Sequence, residues 1–238
     1  MYCKHHNLNE PENSRQRLWR YLKYERLLQA INEGVLYFPH ITKLGDKWEG
    51  LLTTRTKDKL FKQEYAKYKK AESANGAVAQ YEKHKDAFYI NSWHMNNHES
   101  YLMWKAYGDR GCAIQTNYER LTLSLQRSNA EINGGIVNYI DYDREQLPIG
   151  NTFYSVSYKD IAYKDEKEFR LLYWKLNLPN QNLPAEEHGV KVVVDIDILI
   201  ENIYIIPVNT VDVKQLTDVI KNMALSCEIK NSRIKELV

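Results

Sequence analysis

Cysteine is scarce, net charge is almost nil, no apolar run is long, and no glycine-rich phosphate loop is present. Each shortage removes a class of function. Cys3, Cys112 and Cys227 are odd in number and widely separated. They give neither a disulfide framework nor metal-ligand spacing, and a reducing compartment is the simpler expectation. No apolar stretch approaches the ~18 residues of a membrane helix. The opening residues, with His5-His6 and Glu10-Pro11-Glu12, lack the apolar core of a signal peptide. The expectation is a soluble, cytoplasmic protein without a membrane partner. A net charge of +2 is too small for bulk attraction to nucleic acid, so any such binding needs a local patch.

Familiar catalytic signatures are missing too. No serine sits in a Gly-x-Ser-x-Gly elbow, and the mononucleotide and dinucleotide fingerprints are absent. His94 and His98 are four apart, a spacing that ligates zinc on a helix, but the helix starts near His98 and no Glu lies between them. Cys112 lies in an apolar strand and reads as core. No metal site is assigned.

What is present is a chain of 238 residues, enough to bury a full core, with 18 tyrosines. Residues 1–16 read as a polar arm or disordered lead, and 17–238 as one domain. Leu18–Leu22 is extended, the 24–31 stretch has helical spacing with Leu27, Leu28 and Ile31 on one face, Gly34 caps it, and Val35–Phe38 is a strand. Further strands are expected at Phe88–Trp93, Cys112–Gln115, Gly135–Tyr142 after a Gly-Gly turn, Lys191–Asp195, Asn202–Ile206 and Cys227–Lys230. Helices are expected at Glu99–Tyr107 with Leu102, Met103 and Ala106 inward, from a Thr116/Glu119 capping box to Ser124, and at Val211–Ala224. Residues 177–189 read as a polar loop. The mixture lacks a βαβ rhythm, which predicts an α+β fold with a mainly antiparallel sheet and flanking helices. Residues 55–85, dense in lysine and glutamate, read as a charged helical insertion of two helices broken at Asn75-Gly76. Its lysines (Lys57, Lys59, Lys62, Lys67, Lys69, Lys70) either touch phosphates or form a solvated face.

Chemistry concentrates at Lys164–Trp174. Read as a strand, it places Glu166, Glu168 and Arg170 on one face and Lys167, Phe169 and Leu171 on the other. Two carboxylates and a guanidinium on a half-buried strand are costly unless they are paired or face a cleft. One reading is a solvated face with a local Glu–Arg pair; the other is the acidic strand of a site. Arg20, alone among the apolar residues of Leu18–Leu22, either wants an anion or pairs with Glu166 or Glu168. A metal-dependent nuclease or hydrolase using Asp46, Glu49 and Glu166 is a separate option. So is a non-catalytic nucleic-acid or protein binding module working through the insertion and exposed tyrosines.

Several stretches, in order along nearly the whole chain, resemble the bacterial family known as domain of unknown function 2971. They are Leu18-Trp-Arg-Tyr-Leu22, Leu36-Tyr-Phe38, Gly45-Asp-Lys-Trp-Glu-Gly50, the run from Ser92 to Tyr107, Glu166-Lys-Glu-Phe-Arg170, Ile203-Tyr-Ile-Ile-Pro207 and Ser232. The family tends to carry Asn-Asp-Pro-Phe-Glu where this chain has Gly45-Asp-Lys-Trp-Glu49. The order of parts is also similar to that of ADP-ribosyltransferases. These have an Arg or His on a first strand followed by a helix and a strand, a Ser/Thr- or Tyr-bearing strand in mid-chain, and a late strand with Glu-x-Glu or Gln-x-Glu. That resemblance implies an enzyme using NAD, a bacterial toxin or phage-defence effector with a nucleic-acid or protein acceptor. By the same resemblance Arg20 would hold a phosphate or ribose of NAD, and Ser92 would support the nicotinamide pocket. Tyr37 or Trp93 would stack, Glu168 would stabilise the oxocarbenium-like transition state, and Glu166 would steer the acceptor.

Overall fold

The computed structural model describes residues 1–46, 48–108, 111–175, 188–206 and 211–234. Residues 177–187 of the expected polar loop lie outside them. The opening unit follows the reading: β1 (Arg17–Lys23), α1 (Tyr24–Glu33) and β2 (Val35–Pro39). The helix buries Leu27, Ala30 and Ile31 and ends on Gly34 in the left-handed region. Then come α2 (Thr54–Tyr68), α3 (Ala71–Lys83), β3 (Phe88–Met95), the short α4 (Tyr101–Met103) and β4 (Gly111–Asn117). They are followed by α5 (Tyr118–Ser124), β5 (Ile132–Ile136), β6 (Asn138–Ile140), α6 (Phe153–Ser157) and β7 (Tyr158–Asp160). The remainder is β8 (Glu168–Trp174), β9 (Gly189–Val193), α7 (Ile196–Leu199), β10 (Asn202–Ile205), α8 (Val213–Asn222) and β11 (Glu228–Asn231).

Seven strands form one sheet in the order β11-β10-β4-β1-β3-β8-β5, antiparallel except for the β10–β11 pair. The fold is α+β with a mainly antiparallel central sheet, as the sequence predicts. One face carries Leu18, Trp93, Ile114, Phe169 and Ile203 and is covered by α1, α5, α8 and the β2–β9 ribbon, making the main core. The other face carries two smaller clusters. Trp19, Tyr21 and Ala113 pack under Trp104, while Phe88, Ile90 and Leu172 pack under Phe153 and Val156. The cleft described below lies between them.

Several expectations are corrected. Residues 1–16 are not a loose arm. Met1 and Cys3 exchange backbone hydrogen bonds with Ile132, Ile136 donates to Asn9, and Leu8 is buried. Gly134-Gly135 makes this docking feasible and is no turn. A Cβ at Gly134 would stand 2.9 Å from the Tyr2 ring, and one at Gly135 would stand 2.9 Å from Leu8. The expected strand over 135–142 is two short strands, β5 and β6. The N-cap of α5 is Asn117, whose side chain accepts from the Arg120 amide, rather than Thr116. The expected helix at 99–107 is one turn of α4 running into a π-turn over Trp104–Gly108. There Trp104 is buried and Leu102 is exposed.

The insertion does form two helices, but the break is at Lys69, which takes a left-handed conformation, while Asn75-Gly76 lies inside α3. The pair is pinned at its root, where the Thr56 hydroxyl accepts from the Leu147 amide, and by a Lys57–Glu82 bridge. No residue of α2 or α3 joins any of the three core clusters.

Candidate functional site

β1 and β3 pair only at Leu18–Met95 and Trp19–His94, then separate. Strand alternation alone would send Arg20 to the main-core face with Leu18 and Leu22, opposite to Glu168, whose partner His94 shares its face with Trp19. The split changes that. Arg20 turns into the gap, its Nη1 donates to the Ser92 carbonyl at 2.8 Å, and its guanidinium lies 5.9 Å from the Trp93 ring centre. Among the described residues it has no ion-pair partner. Burial pulls its pKa down to about 10, an effect the Glu168 carboxylate only partly offsets. A guanidinium in that position has unused donors and an uncompensated desolvation cost, which an anion would relieve.

A cleft of about 440 Å³ opens here, lined by Arg20, Ser92, Trp93, Glu166 and Glu168 together. Five of the six residues singled out from sequence therefore converge. Tyr37 does not. It sits on β2 with Arg26 5.1 Å over its ring, away from the cleft. Trp93 is a wall rather than an open stacking face: it is buried and its indole N–H is held by Asn91. Glu166 is not on the acidic strand. A 3₁₀ turn over Ile161–Glu166 and a left-handed Lys167 precede β8, so only Glu168 and Arg170 alternate as predicted.

Arg170 organises the floor. It is 1 % exposed, and each of its five N–H groups has an acceptor. Nε and Nη2 donate to Glu168 at 2.7 and 2.8 Å, Nη1 and Nη2 to Glu49 at 3.0 Å each, and Nη1 to the Val156 carbonyl at 2.8 Å. Lys159, on β7, is buried beside it, 3.1 Å from Glu49, 2.7 Å from Glu166 and 3.9 Å from Glu168. Burial works against the charges of Arg170, Lys159 and Glu168, but pairing outweighs it. Arg170, then Lys159, hold Glu168 below the usual carboxylate range, and Glu49, Glu168 and Glu166 hold the Lys159 ammonium above its usual range. Ser92 also helps to lower the Glu168 pKa, after Arg170 and Lys159. Arg20 thus pairs with neither glutamate, and the local Glu–Arg pair is real but lies within β8.

The mouth is aromatic. Tyr107, exposed on the π-turn, donates to Glu166 at 3.2 Å, and burial of its hydroxyl, then Glu166, push its pKa up to about 12. The Tyr163 ring lies 4.4 Å from the Lys159 ammonium. His94, on the cleft wall, has Nδ1 2.6 Å from the Glu166 carbonyl and a buried Nε2 without a partner. His98 is exposed, so the two histidines do not share a site. Among the described residues no three His, Cys, Asp or Glu side chains form a metal-holding group. Both oxygens of Glu49, which the nuclease reading needs, are taken by Arg170.

Sequence reasoning missed Glu49 as the partner of Arg170, and it missed Lys159 entirely. A lone lysine in a weak segment carries no periodic signal. Only the count of buried carboxylates, in excess over Arg170, hints that a second cation is required. No protein-family model, curated protein or solved structure matches this chain.

Proposed function

We propose that the protein is a NAD-dependent ADP-ribosyltransferase-like enzyme, a toxin or phage-defence effector of the family resembled above. One observation carries the reading: Arg20, Ser92 and Glu168, on three adjacent strands, line a single cleft. The split in the sheet turns the half-buried Arg20 guanidinium toward the cleft, where its remaining donors suit a phosphate of NAD.

Glu168 is held ionised and its orientation is fixed by Arg170. A carboxylate offers about four lone-pair directions. Arg170 takes one on each oxygen, which leaves acceptor capacity for a ribose hydroxyl. Its negative charge is preorganised to stabilise the oxocarbenium-like transition state as the bond from ribose C1′ to the nicotinamide nitrogen breaks. The bonding pair leaves with nicotinamide, and the acceptor's lone pair closes on C1′. Glu166, nearer the mouth and tethered by Lys159 and Tyr107, is placed to orient the acceptor.

Calorimetry with NAD tests the reading. The wild type is expected to bind and to release nicotinamide, and Arg20→Ala to lose binding while keeping its melting temperature. Absence of both NAD binding and nicotinamide release from the wild type, with cell extract supplied as acceptor, overturns it.

A further inference from the structure

A second cavity, of about 370 Å³, adjoins the first and shares Asp46, Glu49, Lys159 and Tyr163 with it. Its walls are rich in rings: Trp48, Tyr142, Tyr158 and Tyr163. Trp48 is 65 % exposed, an unusual position for an indole with no partner covering it. Asp46 and Asp143 supply acceptor oxygens at its edge, and neither forms an ion pair among the described residues.

At its far end the cavity reaches Thr53 and Thr54, where α2 begins. Residues 54–70 carry seven basic and two acidic side chains, a net +5 in a chain whose total is +2. Two of these cations are neutralised, Lys57 by Glu82 and Lys67 by Glu64. Arg55, Lys59, Lys62 and Lys69 are not paired among the described residues; the spacing of the first three puts them on one side of the helix, and Lys69 follows at its C-terminal end. The stripe extends about 21 Å at the helical rise, a length that accommodates several nucleotides of backbone. Tyr65 and Tyr68 lie along the same helix, 43 % and 60 % exposed. Unpaired cations on a helix that also carries open rings suit a single strand, whose phosphates and bases use both. An anionic lipid surface would ask for exposed aliphatic side chains, and the stripe has none.

We infer that the acceptor is a single-stranded polynucleotide, its backbone lying along α2 and one base seated on Trp48 in the second cavity. This rests on the transferase reading for its chemistry, but not for the binding itself. In the transfer step a base nitrogen or oxygen forms the new bond to ribose C1′ and gives its proton to Glu166 or to water. Nicotinamide departs with the electron pair of the broken bond.

The test is fluorescence anisotropy with labelled single-stranded DNA and RNA oligonucleotides of mixed sequence, without NAD, across a salt series. Binding is expected to either strand. Lys59→Glu/Lys62→Glu/Lys69→Glu should weaken it at least about tenfold and cut the salt slope by about 2, from three phosphate contacts at about 0.7 each. Trp48→Ala should weaken single-strand binding without changing the slope, and Arg20→Ala should leave binding intact. With NAD added, label should pass from NAD to the oligonucleotide. Equal affinity for duplex, indifferent to Trp48→Ala, overturns the inference. So does binding to phosphatidylserine vesicles in place of oligonucleotide. Oligonucleotide binding by a protein that binds no NAD would sink the transferase reading and leave this surface standing.

Discussion

Arg170 grips Glu168 two residues away on the same strand, through two parallel hydrogen bonds of 2.7 and 2.8 Å. Arg170 keeps Glu49 if Glu168 is removed, but removing Arg170 leaves two buried carboxylates to Lys159 alone. Arg170→Met should therefore lower stability by about 3–5 kcal/mol, because Glu168 and Glu49 both lose their closest counter-charge. Arg170→Lys keeps the charge but not the planar fork, and should recover only part of the loss. Urea denaturation of the two variants against wild type measures both.

Acid should act on the same pair. Burial raises the Glu168 pKa, but Arg170 outweighs it and the folded value lies below the usual 4.5. A depressed carboxylate contributes stability that is complete above its unfolded value and lost as pH falls through the folded one. The melting temperature should thus be insensitive to this group above about pH 5 and fall below about 4.5. In Arg170→Met the depression caused by the guanidinium is gone, so this group's loss of stability on acidification should shrink or vanish. Melting curves at closely spaced pH values distinguish the two shapes.

His94 should add a shallower dependence nearer neutrality. Burial, more than any neighbour, lowers its pKa from 6.5, so the unfolded chain binds its proton first. Stability should decline as pH drops below about 6.5, and His94→Gln should remove that slope.

The catalytic assignments separate in kinetics. Glu168→Gln should slow nicotinamide release on the order of a hundredfold, ~3 kcal/mol, since the charge facing the transition state disappears. Glu166→Gln should spare release and impair transfer to acceptor. Both are read by single-turnover assays at a temperature where each variant is folded.

Removing residues 57–80 and joining the ends with a Gly-Ser linker should leave a cooperative melt. Thr56 and Tyr81, which hold the insertion's root to Leu147 and Asn151, stay in place. Loss of the cooperative transition would show that α2 and α3 complete the core.

The readable and unreadable parts of this protein divide along physical lines. Strand–helix–strand at the start was legible because Leu27, Ile31 and Gly34 obey one period and one cap. The pairing of Glu168 with Arg170 was legible because two-residue spacing fixes a face whatever the fold. Glu49 and Lys159 were not, since they reach Arg170 and the glutamates from 121 and 7 residues away with no shared periodicity. Glu166 was misplaced because the left-handed Lys167 has no sequence signal; glycine or asparagine would have given one. The route of Arg20 into the cleft depends on where two strands part, a property of sheet twist rather than of any local residue.

That parting has a mechanical meaning. Four strands, β11-β10-β4-β1, meet three, β3-β8-β5, along a seam only two residue pairs long. Arg20 rides on one half and Ser92 with Glu168 on the other. Any change in the angle between the halves alters the distance from the guanidinium to the carboxylate. Leu18, Met95, Trp19 and His94 are the residues paired across that seam. Substitutions at Leu18 or Met95 would shift the spacing of Arg20 and Glu168 without altering a side chain that lines the cleft.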